Sequence, residues 1–183
     1  DRAVAVFGPG PVGERSSAQP VRWRDMTTRS KVAYPESLSK DRLRLWLKLL
    51  KASSVIENEV RRRLRREFEA TLPRFDVMSA LSRYSNGLKM NQISQLLRVS
   101  NGNITGIVDR LADEGLALRV AVPGDRRASL VRLTPKGLDE FTRQAAAHET
   151  WINEMLDDLN ANDVDVINEC LGRLVETLEQ GEF

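Results

Sequence analysis

The 183-residue chain is 41% hydrophobic and 30% charged, with a formal net charge of +2, one cysteine and one histidine. That length supports one ordinary core, or a small core plus helices that need a partner chain. Cys170 alone excludes an internal disulfide framework, and no apolar run of about 18 residues is present to span a bilayer, so a reducing, cytoplasmic setting with no membrane partner is expected.

Residues 1–37 read as a disordered or loosely packed extension, rich in Gly, Pro, Ser and Arg and without periodicity. Its opening "AVAVFGPGPVG" is too short and too broken for the apolar core of a signal peptide, and Met26 would serve as a native start, making Asp1 to Asp25 an upstream segment. Residues 38–183 read as one domain. In it, Leu43, Trp46, Leu49/Leu50, Ser53, Ile56, Val60 and Leu64 recur at three- and four-residue steps, which predicts a long amphipathic helix from about Ser39 to Phe68. Pro73 opens a second helix through "PRFDVMSALSRY", with Phe75, Val77/Met78 and Leu81 inward and Asn86–Gly87 as its stop.

A short helix follows in "MNQISQLLRVS", with Ile93, Leu96 and Leu97 inward. After a turn comes "NGNITGIVDRLADEGL": Ser100 is placed to cap it, Ile104, Ile107/Val108 and Leu111 form its apolar side, and Gly115 suits a left-handed end. Two short helices around a tight turn make a helix-turn-helix. A second helix that enters the major groove needs small polar residues at its exposed front, able to donate and accept. Asn101, Asn103 and Thr105 meet that need, Gly102 and Gly106 permit close approach, and Arg110 stands a turn or so further on. Taken alone, the pattern also fits a capped amphipathic pair with no role in DNA reading.

"ALRVAV" and "ASLVRL" are alternating, β-branched segments around "PGDRR", which predicts a hairpin directly after the second helix, that is, a wing. Arg126 and Arg127 at its tip suit a narrow minor groove, with Asp125 accepting from Arg127 to stiffen the tip. A plain soluble turn is the alternative for "GDRR". Thr134 and Pro135 then start a helix to about Met155, with Leu138, Phe141, Ala145, His148 and Ile152 on one stripe. Asn160 and Asp163 begin a last helix whose Val164, Ile167, Leu171, Leu174 and Leu178 form a seam that requires a facing helix, so pairing between two chains is expected.

Charge divides along the same line. Residues 1–138 hold 26 Lys/Arg against 14 Asp/Glu, and residues 139–183 hold 2 against 12. A basic part that meets a polyanion, nucleic acid above all, and an acidic part held away from it follow from this. Enzyme activity is not expected: there is no Ser/His/Asp set and no Gly-rich phosphate loop after a strand, and Cys170 lies in an apolar stripe where it would pack as a small hydrophobe. With a single histidine and a single cysteine, neither a metal site nor a cofactor is expected.

The succession "MNQISQLLRVSNGNITGIVDRLADEGLALRVAVPGDRRASLVRLTPKG" resembles the winged-helix core of the MarR (multiple antibiotic resistance regulator) family, over roughly residues 38–180. Lys89, where the family often has a Thr cap, and Arg98, at a usual turn Gly, depart from its pattern. The resemblance implies a mainly α fold with a small β wing, a winged helix-turn-helix DNA-binding core over 72–134, and dimerisation helices over 38–70 and 135–180. It implies a homodimer gripping a pseudo-palindromic operator in double-stranded DNA, usually repressing transcription. It implies further that a small-molecule effector, an aromatic carboxylate or its coenzyme A thioester, releases the DNA. Trp46, Leu50, Phe75, Met78, His148 and Trp151 are the expected lining, though aromatic and Met residues at this spacing are also ordinary core. Arg61 to Arg66 either form a solvated helix end, or hold the phosphates of a bulky effector, with Arg61 as the expected ligand to them, or touch DNA. An effector-independent winged-helix module that binds nucleic acid remains the alternative.

Overall fold

The computed structural model describes residues 36–122 and 125–181. Nine elements follow in order: α1 (Glu36–Phe68), α2 (Leu72–Ser82), β1 (Leu88–Lys89), α3 (Met90–Leu97), α4 (Asn101–Asp113), β2 (Ala117–Val122), β3 (Asp125–Leu133), α5 (Pro135–Met155) and α6 (Ala161–Gln180). The expected extension lies outside the described residues but for its last two. Two compact units divide inside α1, the first ending at Val55 and the second beginning at Ile56. In the first, the described part of α1 carries exposed Leu43, Leu45, Trp46, Leu47 and Leu50, each 45–58% accessible.

The second unit holds two adjoining cores. One gathers Val77, Met78 and Leu81 of α2, Leu88 of β1, Ile93 of α3, Ile104, Val108 and Leu111 of α4, and Val131 of β3. The other gathers Val60 and Leu64 of α1, Leu72 and Phe75 of α2, and Trp151 of α5. Phe141 packs against both. Helix α2 therefore serves both cores, burying Leu72, Phe75 and Val77 to Leu81, while Arg74 and Asp76 stay half-buried at its edge. Each fully buried Leu, Ile or Met contributes about 1.5–3 kcal/mol relative to exposure.

The three-stranded sheet has the order β1-β3-β2, all antiparallel. Residues Ala117 to Ala121 pair in register with Leu133 to Ser129, and the register shifts at Val122. Strand β1 was not legible in the sequence: two residues, Leu88 and Lys89, suffice to add it opposite Val131 and Leu130. Three expectations need correction. Leu96 is 42% exposed, because the final turn of α3 rotates it out of the core. On α5 the buried positions are Gly137, Gln144 and Trp151, while Leu138 is 47% exposed. Cys170 is exposed on α6 rather than packed, since none of the described residues covers that helix.

Candidate nucleic-acid interface

Helices α3 and α4 form the helix-turn-helix. Helix α3 starts with the Lys89 N–H donating to Gln92 Oε1 at 2.8 Å, half of a capping box, since an ammonium cannot accept the reciprocal bond. It ends at Arg98, whose backbone is left-handed (φ 52°, ψ 38°), with the Arg98 N–H on Gln95 O at 3.3 Å and the Val99 N–H on Ser94 O at 3.2 Å. That bond pair is a Schellman closure, and the Ser94 hydroxyl adds a third tie by donating to Val99 O at 2.5 Å.

Ser100 stands at the N-cap of α4 in extended conformation, yet its hydroxyl accepts no capping bond, so the predicted cap is right in place and wrong in contact. Behind it Asn101, Gly102, Asn103, Thr105 and Gly106 are all exposed, and nothing lies within 4 Å of a side chain added at either glycine. Thr105 Oγ1 donates to Asn101 O at 2.9 Å, which leaves that hydroxyl only acceptor capacity outward. Ile104, Val108 and Leu111 are wholly buried on the opposite side. The exposed Arg110 has no ion-pair partner among the described residues.

The rear of α4 is fixed from three directions. Arg74 of α2 donates through both terminal nitrogens to the Glu114 carboxylate, one of the bonds at 2.7 Å. Arg119 of β2 pairs with Asp109 at 2.5 Å. At the start of α5, Lys136 Nζ donates to Glu114 O at 2.9 Å, Thr134 Oγ1 to Gly115 O at 2.7 Å, and the Thr134 N–H to Leu116 O at 3.0 Å. The same Thr134 oxygen accepts from the Gly137 N–H at 3.0 Å, so one side chain closes the end of α4 and the beginning of α5. Asp125, Arg126 and Arg127 belong to β3 by backbone, on the strand rather than in the connecting turn. Their side chains, including the expected Asp125–Arg127 contact, and residues 123–124 lie outside what the structure describes.

The residues expected to line an effector pocket are divided between the two units. Trp46 and Leu50 stand exposed on the first unit. Phe75 and His148 stack at 5.0 Å between ring centroids, with Phe141 at 5.6 Å from Phe75. Burial pushes the His148 imidazole below its ordinary value. Met78 and Trp151 are buried, and the Arg63 guanidinium lies 6.0 Å from the Trp151 ring. The arginine run is largely spent within α1: Arg61 pairs with Glu57, Arg62 and Arg63 with Glu59, Arg63 also with Glu154, and Arg66 with Glu67. Arg62 and then Arg63 hold the Glu59 carboxyl at about 2. A cleft of about 440 Å³ lies elsewhere, between Leu81 of α2 and Tyr84 just after it, Leu118 of β2 and Arg132 of β3, and Pro135 and Leu138 of α5. No spacing signal in the sequence pointed to it, because its walls come from four segments that only the fold brings together. Among the described residues, no helix is long and apolar enough to cross a membrane.

Residues 71–128 match the sequence model of the MarR family. The chain is 32% identical over 85 residues to the HTH-type transcriptional regulator MhqR of Bacillus subtilis, covering 46% of this chain and 59% of that protein, less than two thirds of its length. It is 29% identical over 124 residues to the transcriptional activatory protein BadR of Rhodopseudomonas palustris, covering 66% and 70% respectively. The crystal structure of a MarR family transcriptional regulator from Silicibacter pomeroyi superposes with a TM-score of 0.66 at 28% identity, over 79% of this chain and 99% of that one.

Proposed function

We propose that the chain is a winged-helix transcriptional regulator of the MarR family, whose sequence model its residues 71–128 match, and that it acts as a homodimeric repressor. Two α4 helices read successive major grooves of a pseudo-palindromic operator, about one DNA turn apart. The observation that carries this reading is the exposed front of α4, where Asn101, Asn103 and Thr105 alternate with two unobstructed glycines while three separate ties fix the helix from behind. Asn101 and Asn103 offer amides suited to adenine edges, Ser100 and Thr105 supply hydroxyls, Arg110 contacts backbone or guanine, and Arg126 and Arg127 of the wing enter the minor groove. Helices over 38–70 and 135–180 supply dimerisation. The exposed seam of Val164, Ile167, Leu171, Leu174 and Leu178 supports this, since a solitary chain would leave it wet.

The effector in this reading is a free aromatic carboxylate rather than its coenzyme A thioester. The arginines Arg61, Arg62, Arg63 and Arg66 are already engaged by glutamates, so a phosphate-rich ligand would have to break those pairs. Binding favours a spacing of the two α4 helices that no longer fits the duplex, and ligand and DNA oppose each other reciprocally. Sequencing duplexes selected by the purified protein, with and without aromatic acids, tests the proposal. A palindromic consensus that Asn103→Ala blurs, and whose salt dependence Arg127→Ala lowers, supports it. No enrichment over random duplex overturns it; enrichment that no acid disturbs leaves an effector-independent regulator. A reporter placed behind the selected site distinguishes repression from activation.

A further inference from the structure

Among the described residues only two that are not glycine adopt positive φ, Glu69 at 51° and Arg98 at 52°. Arg98 occupies the left-handed position of the turn between α3 and α4, where a side chain is strained and glycine is not. Two backbone bonds and the Ser94 hydroxyl lock that conformation, so the residue cannot relax without opening the turn. Asn and Asp tolerate this region through local hydrogen bonds; arginine has no such compensation. Nor does its side chain gain a partner: it is exposed and makes no ion pair or hydrogen bond among the described residues, whereas Arg74 and Arg119 beside α4 are both paired. Set between the negative end of α3 and the positive end of α4, the charge gains little locally.

An exposed, unpaired cation is thus held by a locked backbone at the turn that leads into α4, with its whole charge left for a phosphate outside the chain. We infer that Arg98 is a DNA-phosphate contact, gripping the backbone beside the groove that α4 enters and fixing how deep that helix sits. The inference rests on the DNA-binding reading above and adds to it a residue outside the reading helix and the wing. Phosphate contacts of this kind position a protein without reading sequence.

Binding to a mixed-sequence duplex pool, titrated by fluorescence anisotropy between about 50 and 200 mM salt, tests this for wild type, Arg98→Gly, Arg98→Lys and Glu69→Gly. Arg98→Gly is expected to keep or raise Tm while weakening the duplex about tenfold at the low-salt end, with the slope of log K against log salt falling by about 0.9 for each phosphate left unneutralised, roughly 1.8 for a symmetric dimer. Arg98→Lys should retain most of the slope. Glu69→Gly, which relieves the same backbone strain elsewhere, should raise Tm without weakening the duplex. Unchanged affinity and slope in Arg98→Gly overturn the inference and spare the DNA-binding reading, and a lowered Tm in that variant overturns the strain it starts from. A wild-type protein that ignores the pool at low salt overturns both.

Discussion

A Cβ added to Gly137 would lie 1.9 Å from the carbonyl oxygen of Leu116 and 2.8 Å from its carbon, so the first turn of α5 rests directly on the chain leaving α4. The obstacle is backbone, which cannot swing aside as a flexible side chain can. This close approach, with Thr134 and Lys136 bonded to the carbonyls of Glu114, Gly115 and Leu116, couples α4 to α5.

Gly137→Ala should therefore lower unfolding free energy by about 3 kcal/mol, even though alanine is the better helix former. Gly172→Ala on α6, where nothing lies within 4 Å, should instead stabilise by about 0.5–1 kcal/mol. Urea unfolding of both variants checks the pair; equal effects would contradict the close approach.

Gln144 is wholly buried on α5, and its Oε1 has no partner while Nε2 donates to Glu140 at 2.8 Å. Replacing it by an apolar side chain of similar length removes an unsatisfied acceptor, and Glu140 keeps its pair with Arg143. Gln144→Met should raise unfolding free energy by about 0.5–1 kcal/mol. A loss of stability would mean that the amide is satisfied in the assembled protein.

Stability should fall on mild acidification through His148. Burial holds its folded imidazole below the ordinary value of 6.5, so as pH drops through 6.5 the unfolded chain takes up a proton that the folded chain refuses. The loss continues until the folded imidazole is protonated too. Glu59 acts in a lower window: its contribution is complete above about 4.5 and disappears as pH falls towards about 2. His148→Gln should thus show a smaller drop in urea midpoint between about pH 7.5 and 5.5 than wild type. Identical drops would remove His148 as the cause.

Leu171 and Leu174 are 37% and 46% exposed on the α6 seam. If that seam faces a second copy, Leu171→Glu with Leu174→Glu should convert a dimer at micromolar concentration into a monomer of unchanged helicity, read by light scattering and circular dichroism. Duplex binding should weaken with it, because each monomer retains only one reading helix. A variant that stays dimeric would place the interface elsewhere.

The helices and the wing could be read from the chain because their signals are local. The three- and four-residue steps of Val60 and Leu64, the Thr134–Pro135 start, the Asn160–Asp163 box and Gly115 at φ 71° each specify structure within a few residues. The polar front of α4 was legible for the same reason, as composition at the start of a capped helix. What the sequence could not decide depends on partners distant along the chain. Strand β1 exists because Val131 lies opposite Leu88; α5 buries Gln144 and exposes Leu138 because α2 and the end of α4 determine which of its faces is covered; Gly137 matters because Leu116 passes beside it. Periodicity records how a helix divides apolar from polar, whereas only the assembled fold determines what each face meets and which arginines remain unpaired.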